Sequence, residues 1–154
     1  MSRDSQRVQC QLRGKQEHLQ QQLAEIRDLL EEIASAEADV SWWCPTVPTD
    51  NVPDRLGELA HLVRRLFDLE EDERYLEDYF RHQPEVRDGL RRLHAEHDQL
   101  LELLEELCEL SGTSLQPGSS WRDIELHYRC FERRLAVHQQ DENALCEKAG
   151  LAAV

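Results

Sequence analysis

Glycine and proline are scarce in this chain, with 6 and 5 copies among 154 residues. β-Branched residues are also few, whereas Gln, Glu, Leu, Arg and Ala, which favour helices, dominate. A shortage of turn formers and strand formers disfavours a β-rich fold. The composition therefore predicts an all-α protein, and the length suits a single domain over residues 1–154.

Basic residues are outnumbered, with 18 Lys and Arg against 32 Asp and Glu and a formal net charge of −14. Because phosphate groups are bound by clustered Lys and Arg, we expect neither nucleic acid nor an anionic membrane as a partner. No stretch approaches the roughly 18 apolar residues of a membrane span. The acidic faces are interpreted as solvated helix surface, with a basic partner or local cation enrichment as the alternative.

Sequence signals for export and for hydrolytic catalysis are also missing. Residues 1–11 contain no apolar run of the kind found in secretory signal peptides. The five cysteines are odd in number and form no Cys-x-x-Cys motif, so a reduced cytoplasm is the expected compartment. A Gly-rich phosphate loop, Gly-x-Ser-x-Gly and His-Glu-x-x-His are all absent, and we expect a protein that is not an enzyme.

Apolar residues recur every three or four positions along most of the chain, which predicts amphipathic helices. Ser120 followed by Asp123 resembles a capping box that opens the last helix. The first stripe is Leu12, Leu19, Leu23, Ile26, Leu30 and Ile33, and the second is Leu59, Leu62, Leu66, Leu69, Glu73, Leu76 and Phe80. The predicted helices, about 5–37, 53–81, 85–110 and 120–149, fit an antiparallel up-down-up-down four-helix bundle.

Ionisable residues interrupt these apolar stripes at mid-helix. His138 and Glu142 lie one turn apart in the fourth helix, His97 lies in the third and Glu73 in the second. An unpartnered polar group in a dry core costs on the order of 2–7 kcal/mol, so these side chains need partners. Packed helices would bring them to one level, where imidazoles and carboxylates suit Fe, Mn or Zn. A metal-free network of protonated histidines and glutamates is the alternative.

These residues resemble the pattern of the hemerythrin-like, or HHE cation-binding, domains, over about residues 15–148. His138-Gln139-Gln140-Asp141-Glu142 fits the His-x-x-x-Glu motif, and Ala95-Glu96-His97 is similar to the third-helix signature. The resemblance implies iron as the cofactor, with dioxygen as a small ligand and two glutamates that bridge an iron pair. Its implied ligands are His18, Glu73, His97, His138 and Glu142.

The second helix departs from the family pattern, because Leu69 stands where a histidine is expected. Glu70 is a candidate substitute ligand, and His94 either flanks the site or lies at its boundary. His18 is off its own helix's apolar seam, which favours one iron, one zinc or no metal over two irons. The resulting hypothesis is a metal-binding protein for iron- or oxygen-linked sensing or storage. The alternative is a degenerate, metal-free bundle that serves as a protein-interaction module, with an unknown partner.

A short internal repeat relates the second and fourth helices. Residues 64–76 align with residues 133–145, with Arg-Arg-Leu, Asp-Glu and a closing Leu in common. In this alignment Glu73 corresponds to Glu142. The repeat suggests two related helical hairpins, each carrying similar inward-facing groups.

Overall fold

Five helices make up most of the chain that can be described. A computed structural model describes residues 3–38, 49, 51–72, 83–112 and 120–148. Within these ranges the chain is helical apart from short connecting residues, and they contain no strand. The helices are α1 (Arg3–Ala38), α2 (Val52–Glu70), α3 (Pro84–His94), α4 (His97–Gly112) and α5 (Trp121–Lys148). The prediction of an all-α protein is confirmed.

Three of the helices begin at residues that favour a helix N-terminus. Pro53 and Pro84 lie in the first turns of α2 and α3, where a missing N–H leaves no hydrogen bond unmade. Asp123 donates its backbone N–H to the Ser120 hydroxyl at 3.2 Å, and Ser120 donates its own N–H to the Asp123 carboxylate at 3.3 Å. This reciprocal pair is the predicted capping box.

The helices pack as four segments around one apolar core. Helix α1 contacts α2 and α5, α4 also contacts α2 and α5, and α3 lies against α5. Only Ala95 and Glu96 separate α3 from α4, so together these two fill the third position. The predicted α1 seam is confirmed: all six of its members, Leu12, Leu19, Leu23, Ile26, Leu30 and Ile33, are buried.

Polar contacts fix how the segments are aligned. Along α1 and α5, Arg27 meets Glu132 at 3.2 Å, and the Glu37 carboxylate accepts the Trp121 backbone N–H at 3.0 Å. The buried Tyr128 hydroxyl donates to the Leu23 carbonyl at 2.7 Å. These contacts fix the alignment of α5, the helix that carries His138 and Glu142.

Two predicted helices are interrupted near the same place. Helix α2 ends at Glu70, although the sequence pattern predicts that it continues past Asp72. The helix closes with a tightened turn in which the Asp72 N–H bonds to the carbonyl of Leu69, three residues back, at 3.2 Å. The predicted third helix breaks at Ala95–Glu96, where the Glu96 N–H bonds to the carbonyl of Leu93, three residues back. Such a tightened turn within a helix often marks a hinge or a strained segment.

The buried face of α2 is also rotated from the prediction. Val63, Phe67 and Glu70 are buried, whereas Leu62 and Leu69 are only half-buried. The predicted members Leu59 and Leu66 are buried, but between them and beyond them the buried position is one residue later than predicted, about 100° further around the helix. This rotation brings Glu70 to the interior. Separately, none of the described helices has the length and apolarity needed to cross a bilayer.

We expect Tyr128→Phe to lower the free energy of unfolding by about 1 kcal/mol, because it removes a buried hydrogen bond while keeping the ring. For a chain of this size the melting temperature should fall by about 2–4 °C. Thermal and chemical denaturation would measure both effects. Leu126→Ala, at a site that is 47% exposed, is the control and should change stability by less than about 0.5 kcal/mol. Equal stability of Tyr128→Phe and wild type would contradict this account.

Candidate metal centre

Five ionisable side chains meet in the interior where α2, α3, α4 and α5 come together. We call them the His/Glu cluster: Glu70, His94, His97, His138 and Glu142. Each is less than one-tenth exposed, from 1% for His138 to 8% for His94. In all of these except His138, one potential ligand atom per residue lies within 4.8 Å of the others, an arrangement that could hold a metal ion.

The fold brings the cluster together from helix ends and one continuous helix. Glu70 is the last residue of α2, His94 the last of α3 and His97 the first of α4. His138 and Glu142 lie one turn apart on α5 and continue the buried seam that includes Leu135. The tightened turn at Ala95–Glu96 separates the two histidines of the third segment, and both are buried.

Glu142 is at the centre of the cluster. Its Oε1 atom lies 3.0 Å from His138 Nε2, 3.5 Å from His94 Nε2 and 3.6 Å from His97 Nε2. His97 Nε2 in turn lies 3.1 Å from His138 Nε2 and 3.1 Å from Glu70 Oε2. Two ligands held about 2.1 Å from one ion are about 3.0–3.4 Å apart, so most of these separations match neighbouring ligands of a single metal.

Several of these atoms lie close together without hydrogen bonding to one another. Among the described residues, both carboxylate oxygens of Glu70 and Oε1 of Glu142 have no hydrogen-bond partner. Leaving a buried acceptor unsatisfied costs about 1–3 kcal/mol, and more when the group is charged. A cation among these oxygens and the neighbouring imidazole nitrogens would satisfy them, since both atom types are common metal ligands. The donor set therefore fits an ion.

Burial and contacts within the cluster shift the pKa values of its two carboxyl groups in opposite directions. Burial, together with the nearby Glu142 charge, raises the pKa of Glu70 to about 8. Burial alone would raise the pKa of Glu142 as well, but its contacts with His138 and His97 outweigh burial and lower that pKa to about 2. Thus one carboxyl holds its proton near neutrality and the other does not.

The pKa values of the three histidines in the cluster are also shifted in different directions. Burial alone would lower the pKa of His97, but its contacts with Glu142 and Glu70 raise it to about 9. The same balance of burial against Glu142 raises the pKa of His138. His94 has weaker compensation, and burial lowers its pKa to about 4. An entering cation would displace the protons held by His97 and Glu70.

Two outer groups and one aromatic ring surround the cluster. Glu96 places Oε2 3.0 Å from Nδ1 of His138, and Glu71 places Oε2 3.5 Å from Nδ1 of His97. The Phe67 ring stacks on His97, with centroids 3.7 Å apart and planes 2° from parallel. The aromatic stack covers one face of that imidazole and limits its rotation.

The structure brings together three of the five residues predicted as ligands, namely His97, His138 and Glu142. His18 is exposed on α1, so it does not join the cluster. Glu73 lies outside the described residues. Glu70 and His94 were only secondary candidates, and the signal for both was spacing. Glu70 follows Phe67 by three residues and Leu66 by four, and His94 precedes His97 by three.

Comparisons of this chain with protein-family models, with curated proteins and with solved structures gave no match.

The metal-free chain should lose stability as the pH rises from about 6.5 to 9. Glu70 and His97 have folded pKa values near 8 and 9, above the ordinary values of 4.5 and 6.5. A raised folded pKa gives stability that is complete below the unfolded pKa and is lost as the pH passes the folded one. Stabilisation by added Zn²⁺ should grow over the same interval, because the ion replaces those protons.

Urea denaturation at pH 6.5 and 8.5, with and without Zn²⁺, would measure the two opposite slopes. Glu70→Gln is the control variant, because it removes one of the two titrating groups and should flatten the metal-free slope. Metal-free stability that rises with pH across this interval would show that the cluster's acidities have been assigned wrongly.

Proposed function

We propose that this chain is a hemerythrin-like metal-binding protein that holds one iron ion in the His/Glu cluster, for iron- or oxygen-linked sensing or storage. The observation that carries the proposal is the convergence of five buried His and Glu side chains, four of which place ligand atoms within 4.8 Å of one another, around carboxylate oxygens that have no hydrogen-bond partner among the described residues. Three imidazoles and two carboxylates are a donor set common to Fe, Zn and Mn sites. The proposal assigns no catalysed reaction, and dioxygen as the small ligand stays a prediction.

The alignment of the helices supports an antiparallel, hemerythrin-like bundle. Residue numbers that rise along α1, in Arg27 and Glu37, meet numbers that fall along α5, in Glu132 and Trp121. Likewise, Arg64 meets Glu105, and Glu70 meets His97, across α2 and α4. Each helical segment therefore runs opposite to its partner in these pairs, as up-down-up-down topology requires.

The residues on α2 favour one ion over two. Glu142 is preceded four residues earlier by His138, whereas Glu70 is preceded at the same spacing by Leu66, which is fully buried. Phe67 fills the adjacent position and stacks on His97. Hydrocarbon therefore stands where a second half-site would need imidazole, and His18 is too exposed to supply it.

In this proposal the chain's own residues hold the ion and keep water away. His94, His97 and His138 would present Nε2, and Glu70 and Glu142 would present carboxylate oxygens. Bound iron would supply redox chemistry and affinity for a small ligand. The apolar neighbours, among them Phe67 and Leu135, would restrict access of solvent.

The metal-free interaction module is the second candidate, and one observation favours it. The pKa of His97 is raised and that of Glu142 is lowered, so an imidazolium and a carboxylate offset each other without any ion. Such a module would gain no stability from metal. In it, His97→Leu would lower the melting temperature to the same extent with and without added metal, because Glu142 loses an imidazolium that offsets its buried charge.

We expect chelator-stripped protein, loaded anaerobically with Fe²⁺, to bind about one ion per chain by elemental analysis. At a free ion concentration about 100 times the dissociation constant, binding adds about 2.7 kcal/mol of stability. The melting temperature should therefore rise by about 5–10 °C. Failure of Fe²⁺, Zn²⁺ and Co²⁺ alike to bind or to stabilise the protein would exclude a metal centre and leave the interaction module.

Two matched histidine variants test the assignment of ligands. His94→Gln should weaken binding by more than about 100-fold, because losing a ligand exceeds the 10–100-fold loss seen for groups that only support ligands. His18→Gln changes a histidine that the family resemblance implies but the structure leaves exposed, and it should bind as wild type does. The reverse result would move the site to α1.

A further inference from the structure

Glu96 links the buried cluster to the protein surface. It lies in the tightened turn between α3 and α4, and its side chain is 49% exposed. Its Oε2 atom lies 3.0 Å from Nδ1 of His138, an imidazole that is only 1% exposed. Glu96 also lines a groove of about 560 Å³ between α3 and α5, together with Arg92, Leu145 and Lys148.

We propose that Glu96 is the positioning residue of the metal centre, holding His138 so that Nε2 faces the ion. This inference rests on the proposed function. A carboxylate accepts hydrogen bonds, so Nδ1 of His138 donates to Glu96, and in the neutral imidazole that binds metal the lone pair is then on Nε2. Nε2 of His138 points toward Glu142 Oε1 and His97 Nε2, at 3.0 and 3.1 Å. An outer carboxylate of this kind fixes the ring and increases its donor strength.

Glu71 provides a matched comparison within the same cluster. Its side chain is 48% exposed, nearly the same as that of Glu96. It lies beside the outer nitrogen of His97 at 3.5 Å, but that nitrogen has no hydrogen-bond partner among the described residues. Glu71 and Glu96 therefore place similar charges beside similar imidazoles, and only Glu96 makes a hydrogen bond. An effect of charge alone would appear in both, whereas an effect of ring orientation would appear only at Glu96.

The experiment measures Co²⁺ binding to the full chain after chelator stripping, by competition with a chromophoric chelator and by the visible absorption of bound Co²⁺. Glu96→Ala should weaken Co²⁺ binding by about 10–100-fold and shift the absorption bands, because one imidazole is no longer held. Glu96→Gln should restore most of the affinity, because the amide oxygen also accepts the Nδ1 proton. Glu71→Ala should bind within about threefold of wild type, because only screened surface charge is lost.

The outcomes separate this inference from the proposal beneath it. If wild-type protein binds no Co²⁺, the metal centre fails and the role of Glu96 fails with it. If wild type binds and Glu96→Ala binds equally well, or if Glu71→Ala is as weak as Glu96→Ala, only the positioning role is overturned. Glu96→Ala leaves the buried Nδ1 of His138 without its acceptor, so its metal-free melting temperature should fall by about 2–4 °C, whereas its circular dichroism should match that of wild type. A merely structural contact would lower that temperature as well, but it would leave the Co²⁺ affinity and absorption bands unchanged.

Discussion

Two carboxyl groups and three imidazoles share one buried volume, in which the charge of Glu142 is offset by His97 and His138. Removing one partner from a buried charged set costs about 3–5 kcal/mol, a large part of the total stability of a domain this size. The helices that carry the cluster must therefore meet at one level. Helix α5 supplies Glu142 and His138 from a continuous helix, and the Tyr128 hydroxyl ties that helix to α1.

The breaks in helical structure lie next to this cluster. Helix α2 ends on Glu70, and the third segment breaks immediately after His94 and resumes at His97. Glu71 and Asp72 place negative charge just past the end of α2, where the helix dipole disfavours it, and a cation bound at the cluster would offset that charge. The interruptions of regular helical geometry thus lie at Glu70, His94 and His97, which are candidate metal ligands.

The buried face of α1, which has a single apolar stripe, could be predicted from the sequence. The buried face of α2, which has two possible apolar stripes, could not. Helix α1 has one apolar seam, and the structure buries every predicted member of it. Helix α2 carries two overlapping apolar series that share Leu59 and Leu66. One continues through Leu62 and Leu69, and the other through Val63 and Phe67. Periodicity alone cannot choose between them, since packing against α1 and α4 decides which face is buried.

The same ambiguity limits what sequence says about the candidate site. His138 and Glu142 stand out because no competing seam runs through them. Glu70 belongs to the apolar series that packing selects, so the sequence favoured Glu73 instead. His94 lies three residues from His97, where the half-buried Leu93 offered an equally periodic choice. Candidate ligands at helix ends are not identified by apolar periodicity, because the periodic pattern assumes that the helix continues through them.

Because Glu70 is the α2 residue found in the cluster, the internal repeat does not align the residues that meet there. In the alignment of residues 64–76 with 133–145, Glu70 corresponds to Gln139, whose side-chain oxygen accepts a hydrogen bond from Gln20. The cluster instead pairs Glu70 with Glu142, and by spacing pairs Leu66 with His138. The two hairpins are therefore not equivalent chemical halves.

Charge balance then argues for a single divalent ion in the proposed centre. Once deprotonated, Glu70 and Glu142 carry two negative charges, and the three histidines are neutral when they bind metal. One divalent cation makes this buried volume neutral, whereas a second would leave two positive charges among Leu66 and Phe67 with no acidic side chain in the cluster to offset them. The low dielectric of the interior makes that excess far more costly than the same charge at the surface.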